Sequence, residues 1–153
     1  MASPFPFTSG QVLTAAQLNG IAEWTTFTPT FTNVTLGASG TAAGRYAQIN
    51  DLVFYAASFD LAGTGSVTGH VGLTPPVGNT DAATTFPVSH QAWIRPTGGT
   101  IYHGMGFSNV TAILYYAYAL SGSYQTAPAV NATVPATWNS SGIFYCQGWF
   151  ALA

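Results

Sequence analysis

In Trp24-Thr25-Thr26-Phe27-Thr28-Pro29-Thr30-Phe31-Thr32, the residues Thr25, Phe27, Pro29 and Phe31 alternate with Thr26, Thr28, Thr30 and Thr32. An extended chain sends successive side chains to opposite faces, so this period of two predicts a half-buried strand with an aromatic face and a hydroxyl face. Pro29 has no amide hydrogen to give to a ladder, which places the strand at a sheet edge. Toward the C-terminus the same logic repeats. Apolar or alternating runs at 45–50, 52–61, 66–73, 88–95, 100–107, 109–120 and 138–153 are separated by turn-forming residues such as Asn50-Asp51, Gly63, Gly65, Pro75-Pro76 and Pro96. In the run at 109–120, Ile113, Tyr115, Ala117 and Ala119 share a face; in the last run, Ile143, Tyr145, Gln147 and Trp149 alternate against Phe144, Cys146 and Phe150. About eight strands at this spacing predict an all-β fold, an antiparallel β-sandwich or a jelly-roll-like barrel. The stretch 121–135 is the longest that reads as irregular.

Toward the N-terminus the pattern changes. Phe5 and Phe7 alternate with Pro4 and Pro6 as an extended lead-in, and Leu13, Leu18, Ile21 and Trp24 then fall near helical spacing. Thr14 with Gln17 three residues on has the order of a capping box, so one short helix is expected over 15–23. Isolated helices under about 12–15 residues are marginal in water, so this one must pack on something. Phe5, Phe7, Leu13, Leu18 and Ile21 are its expected apolar contacts. The chain thus divides into an attachment arm, 1–23, and a β-sandwich body, 24–153.

Charge is scarce. The 153 residues hold two arginines, no lysine and four carboxylates, a formal net charge of -2. A groove that neutralises several phosphates cannot be built from two cations, which argues against nucleic acid as a partner. No run approaches the roughly 20 apolar residues of a spanning helix, so membrane insertion is not expected, and the first residues lack the basic start and apolar run of a secretory signal. With 48% hydrophobic and 14% aromatic residues the chain should be ordered. Strand edges without charges invite pairing, which favours permanent assembly into something larger.

Candidates for chemistry are few. His70, His90 and His103 show no spacing that sets two ligands on one face, so no metal or cofactor is expected; each reads as a partly exposed hydrogen-bonding side chain. A single histidine repeated around a symmetry axis is the remaining route to a metal. Asp51 and Asp60 stand at opposite ends of one strand, roughly 30 Å apart, and Asp60 and Asp81 sit in turn-like contexts. Neither a G-x-S-x-G elbow nor a dinucleotide fingerprint occurs, so no catalytic residue is assigned. Cys146 has no partner for a disulfide within the chain. Arg45 is expected to pair with a carboxylate or stack on an aromatic such as Tyr46, with ligand binding as the minority reading. Trp93, Tyr102, Tyr124 and Trp138 are the candidate flat faces for sugar rings, while most aromatics should pack in the core or between subunits. Four N-x-S/T triplets, at Asn33, Asn109, Asn131 and Asn139, are expected by chance in so Thr- and Ser-rich a chain.

Phe7-Thr8-Ser9-Gly10-Gln11-Val12-Leu13-Thr14-Ala15-Ala16-Gln17-Leu18-Asn19 resembles the F-x-x-G-x-x-L-T-A-x-x-L-N opening of tailed-bacteriophage short tail-fibre and minor tail proteins. The body resembles small fibre-tip modules in its motif order. Trp24 and Thr28-Pro29-Thr30 come first, then Gly44-Arg45-Tyr46, Leu52-Val53, Val71-Gly72-Leu73-Thr74-Pro75-Pro76, Val134-Pro135-Ala136-Thr137-Trp138 and Gly148-Trp149-Phe150. It departs at Ser140-Ser141-Gly142, where the family often has Gly-Asp, and in lacking the final Tyr. The resemblance implies a non-enzymatic virion protein, frequently a homotrimer, that joins other tail or capsid proteins and presents loops to a host-surface glycan. A capsid decoration or head-fibre protein held by the N-terminal arm is the alternative, and a tail-associated glycan-degrading enzyme is a second.

Overall fold

A computed structural model describes Val12, Thr14 and residues 22–78, 90–109, 111–121 and 124–152. The expected helix over 15–23 lies outside these residues except for Ala22 and Glu23, which are not helical, and so do Phe5, Phe7, Leu13, Leu18 and Ile21. The described chain is all-β: β1 (Thr25–Phe27), β2 (Phe31–Thr35), β3 (Thr41–Ile49), β4 (Leu52–Asp60), β5 (Ser66–Leu73), β6 (His90–Arg95), β7 (Tyr102–Ser108), β8 (Ile113–Ala117), β9 (Ala119–Ser121), β10 (Tyr124–Thr126) and β11 (Ile143–Ala151). Nine of these form one sheet in the order β1-β3-β4-β11-β6-β7-β8-β5-β2, and β9 pairs with β10 as a separate ribbon. Every pairing is antiparallel.

The single strand expected over 25–32 is in fact two, and its division closes the fold. Pro29 cannot enter a ladder, so the chain leaves one edge of the sheet after Phe27 and joins the opposite edge at Phe31. Four Cα steps span at most about 14 Å. The two edges therefore lie within that distance, and the nine-stranded sheet must curl until its ends meet. Pro29 is buried at the crossing, beside Gly44. A Cβ at Gly44 would lie 2.5 Å from Phe27 Cε1 and 2.8 Å from Pro29 Cγ, so glycine makes room for the crossing chain.

Curling brings β2, β5 and β8 face to face with β4 and β11, the sandwich-like layering that the alternation predicts. Phe31 on β2 meets Phe59 on β4 edge-on at 5.0 Å and Phe144 on β11 at 5.9 Å. Phe59 and Phe144 stack at 5.2 Å, and Tyr115 on β8 closes on Phe144 at 4.9 Å. One parity of each long strand supplies this core: Val53, Tyr55, Ala57 and Phe59 on β4, Phe144, Cys146 and Phe150 on β11, and Ala92 and Ile94 on β6. The last strand, β11, lies mid-sheet, paired to β4 over its whole length and to β6 over five residues.

Two expectations over 109–135 are corrected. Asn109 does not begin a strand: its Oδ1 accepts the amides of Thr111 at 3.1 Å and Ala112 at 2.8 Å, a turn that delays β8 to Ile113. The stretch read as irregular contains β10, and its residues Pro128 to Val130 wedge between β5 and β8. There Val130 N–H donates to Tyr115 O at 2.9 Å, Val130 O accepts from Val71 N at 2.8 Å, and the Val130 side chain is fully buried.

Candidate functional site

The outward parity of β3, β4, β11 and β6 carries the candidate site. Pairing aligns two rows across these strands. One runs Arg45, Ala56, Gln147, Gln91; the next runs Ala43, Ser58, Tyr145, Trp93. Small side chains on β3 and β4 (Ala43, Ala56 and Ser58), set between Arg45 and the long side chains of β11 and β6, leave a groove of about 400 Å³, with Thr26 of β1 at its rim. Its walls are exposed aromatics: Trp93 is 56% exposed and its cross-strand neighbour Tyr145 is 50% exposed. Trp93 is held edge-on to His103 of β7 at 6.4 Å. Gln147 Nε2 and Gln91 Oε1 meet at a long 3.5 Å, and Arg45 lies over Trp24 with Cζ 4.8 Å from the ring centroid. Flat apolar faces beside amides, a hydroxyl and one guanidinium suit a ligand with both apolar faces and hydroxyl groups.

Of the aromatics singled out by sequence, Trp93 alone is placed in this groove. Tyr102 is half-buried, on the parity of Ile94 and packed on the core. Trp138 packs against Phe59 at 5.7 Å and donates from Nε1 to Asn131 O at 2.9 Å. Tyr124 lies in β10, with its side chain outside the described residues. Arg45 stacks on Trp24 and not on Tyr46, which occupies the opposite parity of β3 and meets Phe27. Sequence reasoning missed Tyr145, Gln147, Gln91 and Ser58. The alternation of Tyr145 and Gln147 against Phe144 and Cys146 was visible, but nothing local says which parity faces out or that β11 lies between β4 and β6.

The three histidines separate in environment. His70 is half-buried, with Nε2 2.8 Å from Tyr115 O, and His103 is exposed. His90 corrects the expectation of partial exposure: it is fully buried. Its Nε2 lies 2.8 Å from Ser108 Oγ and its Nδ1 2.9 Å from Tyr55 OH, which in turn meets Tyr115 OH at 2.8 Å. Cys146 extends the chain through Tyr115 and also contacts Ala57 O at 3.5 Å. Serine, imidazole and a third oriented group have the outline of an activated nucleophile. The electrostatics oppose that use. Burial lowers the His90 pKa to about 4, raises those of Tyr55 and Tyr115 well above their usual value, and pushes the Cys146 thiol up to about 12. An imidazole so reluctant to take a proton is a weak base at neutral pH, and no carboxylate among the described residues bonds to it. The chain is a neutral polar strut joining β4, β6, β7, β8 and β11.

Among the described residues no three His, Cys, Asp or Glu side chains cluster as metal ligands. Asp60 closes β4 and Asp51 the turn before it; Asp81 lies outside the described residues. Asp60 and Arg95 flank Ile143 on the outward parity, and neither Asp60 Oδ1 nor Arg95 Nε finds a hydrogen-bond partner among the described residues. No family model, curated protein or solved structure matches the chain.

Proposed function

We propose that this is a non-enzymatic structural protein of a tailed-bacteriophage virion, a short tail fibre or minor tail protein, that assembles as an oligomer and binds host-surface carbohydrate. The virion assignment rests on the motif order from Phe7 to Phe150. One structural observation supports the binding role: an open groove walled by the exposed rings of the cross-strand neighbours Trp93 and Tyr145. Sugars present C–H faces to aromatic rings and hydroxyls to amides, so a nearly uncharged surface can recognise them. The reading moves the contact surface from loops to a sheet face. Residues 1–23 serve as the attachment arm in this account.

Two measurements test it. Particles carrying a labelled copy should show the label at the tail, and deletion of residues 1–23 should leave a folded body that no longer joins particles. Label spread over the capsid lattice would instead support a decoration protein. Normal incorporation of the truncated chain would remove the arm's role. On an array of host-envelope polysaccharides the full chain should be retained, and Trp93→Ala should lower retention about ten-fold or more, the effect of losing one stacking face.

A further inference from the structure

The groove is uneven in its chemistry, and the unevenness selects among sugars. Building on the carbohydrate reading, we infer that the groove takes an acidic sugar, with a pyranose ring against Trp93 and Tyr145 and its carboxylate, or that of the adjoining residue, at Arg45. Among the described lining residues Arg45 alone is charged. Its guanidinium lies over the Trp24 ring, which covers one face of the fork and restricts its plane. Among the described residues Arg45 makes no ion pair and its side chain makes no hydrogen bond, so its in-plane N–H groups are available to a bidentate acceptor. The described lining holds no carboxylate to repel that acceptor or compete for it, and Asp60 lies outside it.

The spacing sets the ligand's size. Arg45 on β3 and Trp93 on β6 stand three strand intervals apart, about 14 Å between backbones. A free carboxylate cannot engage both ends; a ring carrying a carboxylate, or a disaccharide of such rings, can. Ala43 and Ala56 keep the floor low on the Arg45 side, and Ser58, Gln147 and Gln91 offer hydroxyl and amide groups. The Gln147 to Gln91 contact, at 3.5 Å, is long enough to exchange for bonds to sugar hydroxyls at small cost. A polyphosphate or nucleic acid would need further cations that the groove lacks.

The test titrates the full chain with galacturonate, glucuronate and mannuronate disaccharides and, in parallel, with their methyl esters, which keep the rings and remove the charge. Calorimetry or tryptophan fluorescence reads the affinity. At least one acid should bind roughly ten- to a hundred-fold more tightly than its ester. Arg45→Gln should abolish that preference, so that acid and ester bind with equal affinity, and Trp93→Ala should weaken acid and ester alike. Equal binding of acid and ester would overturn the acidic specificity and leave the carbohydrate reading standing. No binding of either form across the panel overturns the inference; retention on neutral polysaccharides in the array above would then decide whether the carbohydrate reading survives. A Trp93→Ala variant that loses subunits without any change in sugar binding would give this face to a second copy of the chain, and would likewise overturn the inference.

Discussion

The imidazole of His90 bonds Tyr55 of β4, itself bonded to Tyr115 of β8, and Ser108 of β7, and lies against Gly148 of β11; none of these residues carries a negative charge at neutral pH. Burial lowers its pKa from 6.5 to about 4. Below pH 6.5 the unfolded chain binds a proton that the folded chain refuses until about pH 4. Stability from this group is therefore complete above pH 6.5 and falls as pH drops toward 4, by about 3 kcal/mol in all. Urea midpoints at pH 7.5 and 4.5 should show this loss, and His90→Gln should flatten the difference. A folded-state His90 resonance titrating near 6.5 would refute the account. Gly148 is fixed by the same ring: a Cβ there would stand 2.3 Å from His90 Nδ1. Gly148→Ala must move either a β11 backbone paired to β4 or a hydrogen-bonded imidazole, and should cost about 1–3 kcal/mol in urea unfolding. Cys146, fully enclosed with its thiol pushed up to about 12, should resist thiol reagents at pH 8 in the native protein and react once unfolded.

At the scale of elements, the N-x-S/T triplets prove to be local structure. Asn109, Asn131 and Asn139 each turn Oδ1 back to the amide two residues on, at 3.1, 3.0 and 2.8 Å. Asn33, at φ 59, sits at the bulge of β2 and donates to His70 O. Asparagine is common in such turns because its short amide mimics a backbone carbonyl, and the following Thr or Ser tolerates the turn. Asn131→Ala should therefore cost about 1–2 kcal/mol in urea unfolding, since it frees the amides of Thr133 and Val134 beside the inserted Val130, whereas Asn131→Asp keeps the acceptor and most of the stability. Alternation alone made much of the sheet legible: β5 spans the 66–73 run, and β4 ends one residue inside its own. What sequence could not reveal are facts set between distant strands. The crossing at Pro29, the wedge at Val130 and the mid-sheet position of β11 depend on which strands meet, and no residue states that locally. The site inherits this limit: Trp93 and Trp138 look alike in sequence, yet one stands on an outward strand position and the other fills the space Gly142 leaves beside Phe59.

The whole molecule gives the scarcity of charge two separate causes. Charged side chains commonly guard sheet edges, but here the outermost strands are three and five residues long and are joined through Pro29, which leaves no long outermost strand to serve as a template. That much needs no partner. The exposed apolar side chains are another matter: Leu120 on the β9 ribbon is 83% exposed, and Ile101, Trp149 and Tyr118 are also open. With a formal net charge of only -2, repulsion between copies is weak. Such a surface should associate, and the proposed virion role gives that association a defined form. Native mass measurement should find a closed oligomer, a trimer of the 15.9 kDa chain being the form expected of a fibre. Leu120→Ser removes an exposed apolar group that contributes little within one chain, so it should leave the unfolding free energy within about 0.5 kcal/mol when measured on the dissociated subunit. If the ribbon lies between subunits, the same change should shift the oligomer toward monomer at micromolar concentration. A wild-type protein that stays monomeric at that concentration would remove the assembly from the account, while leaving the groove and its ligand to be judged on their own titrations.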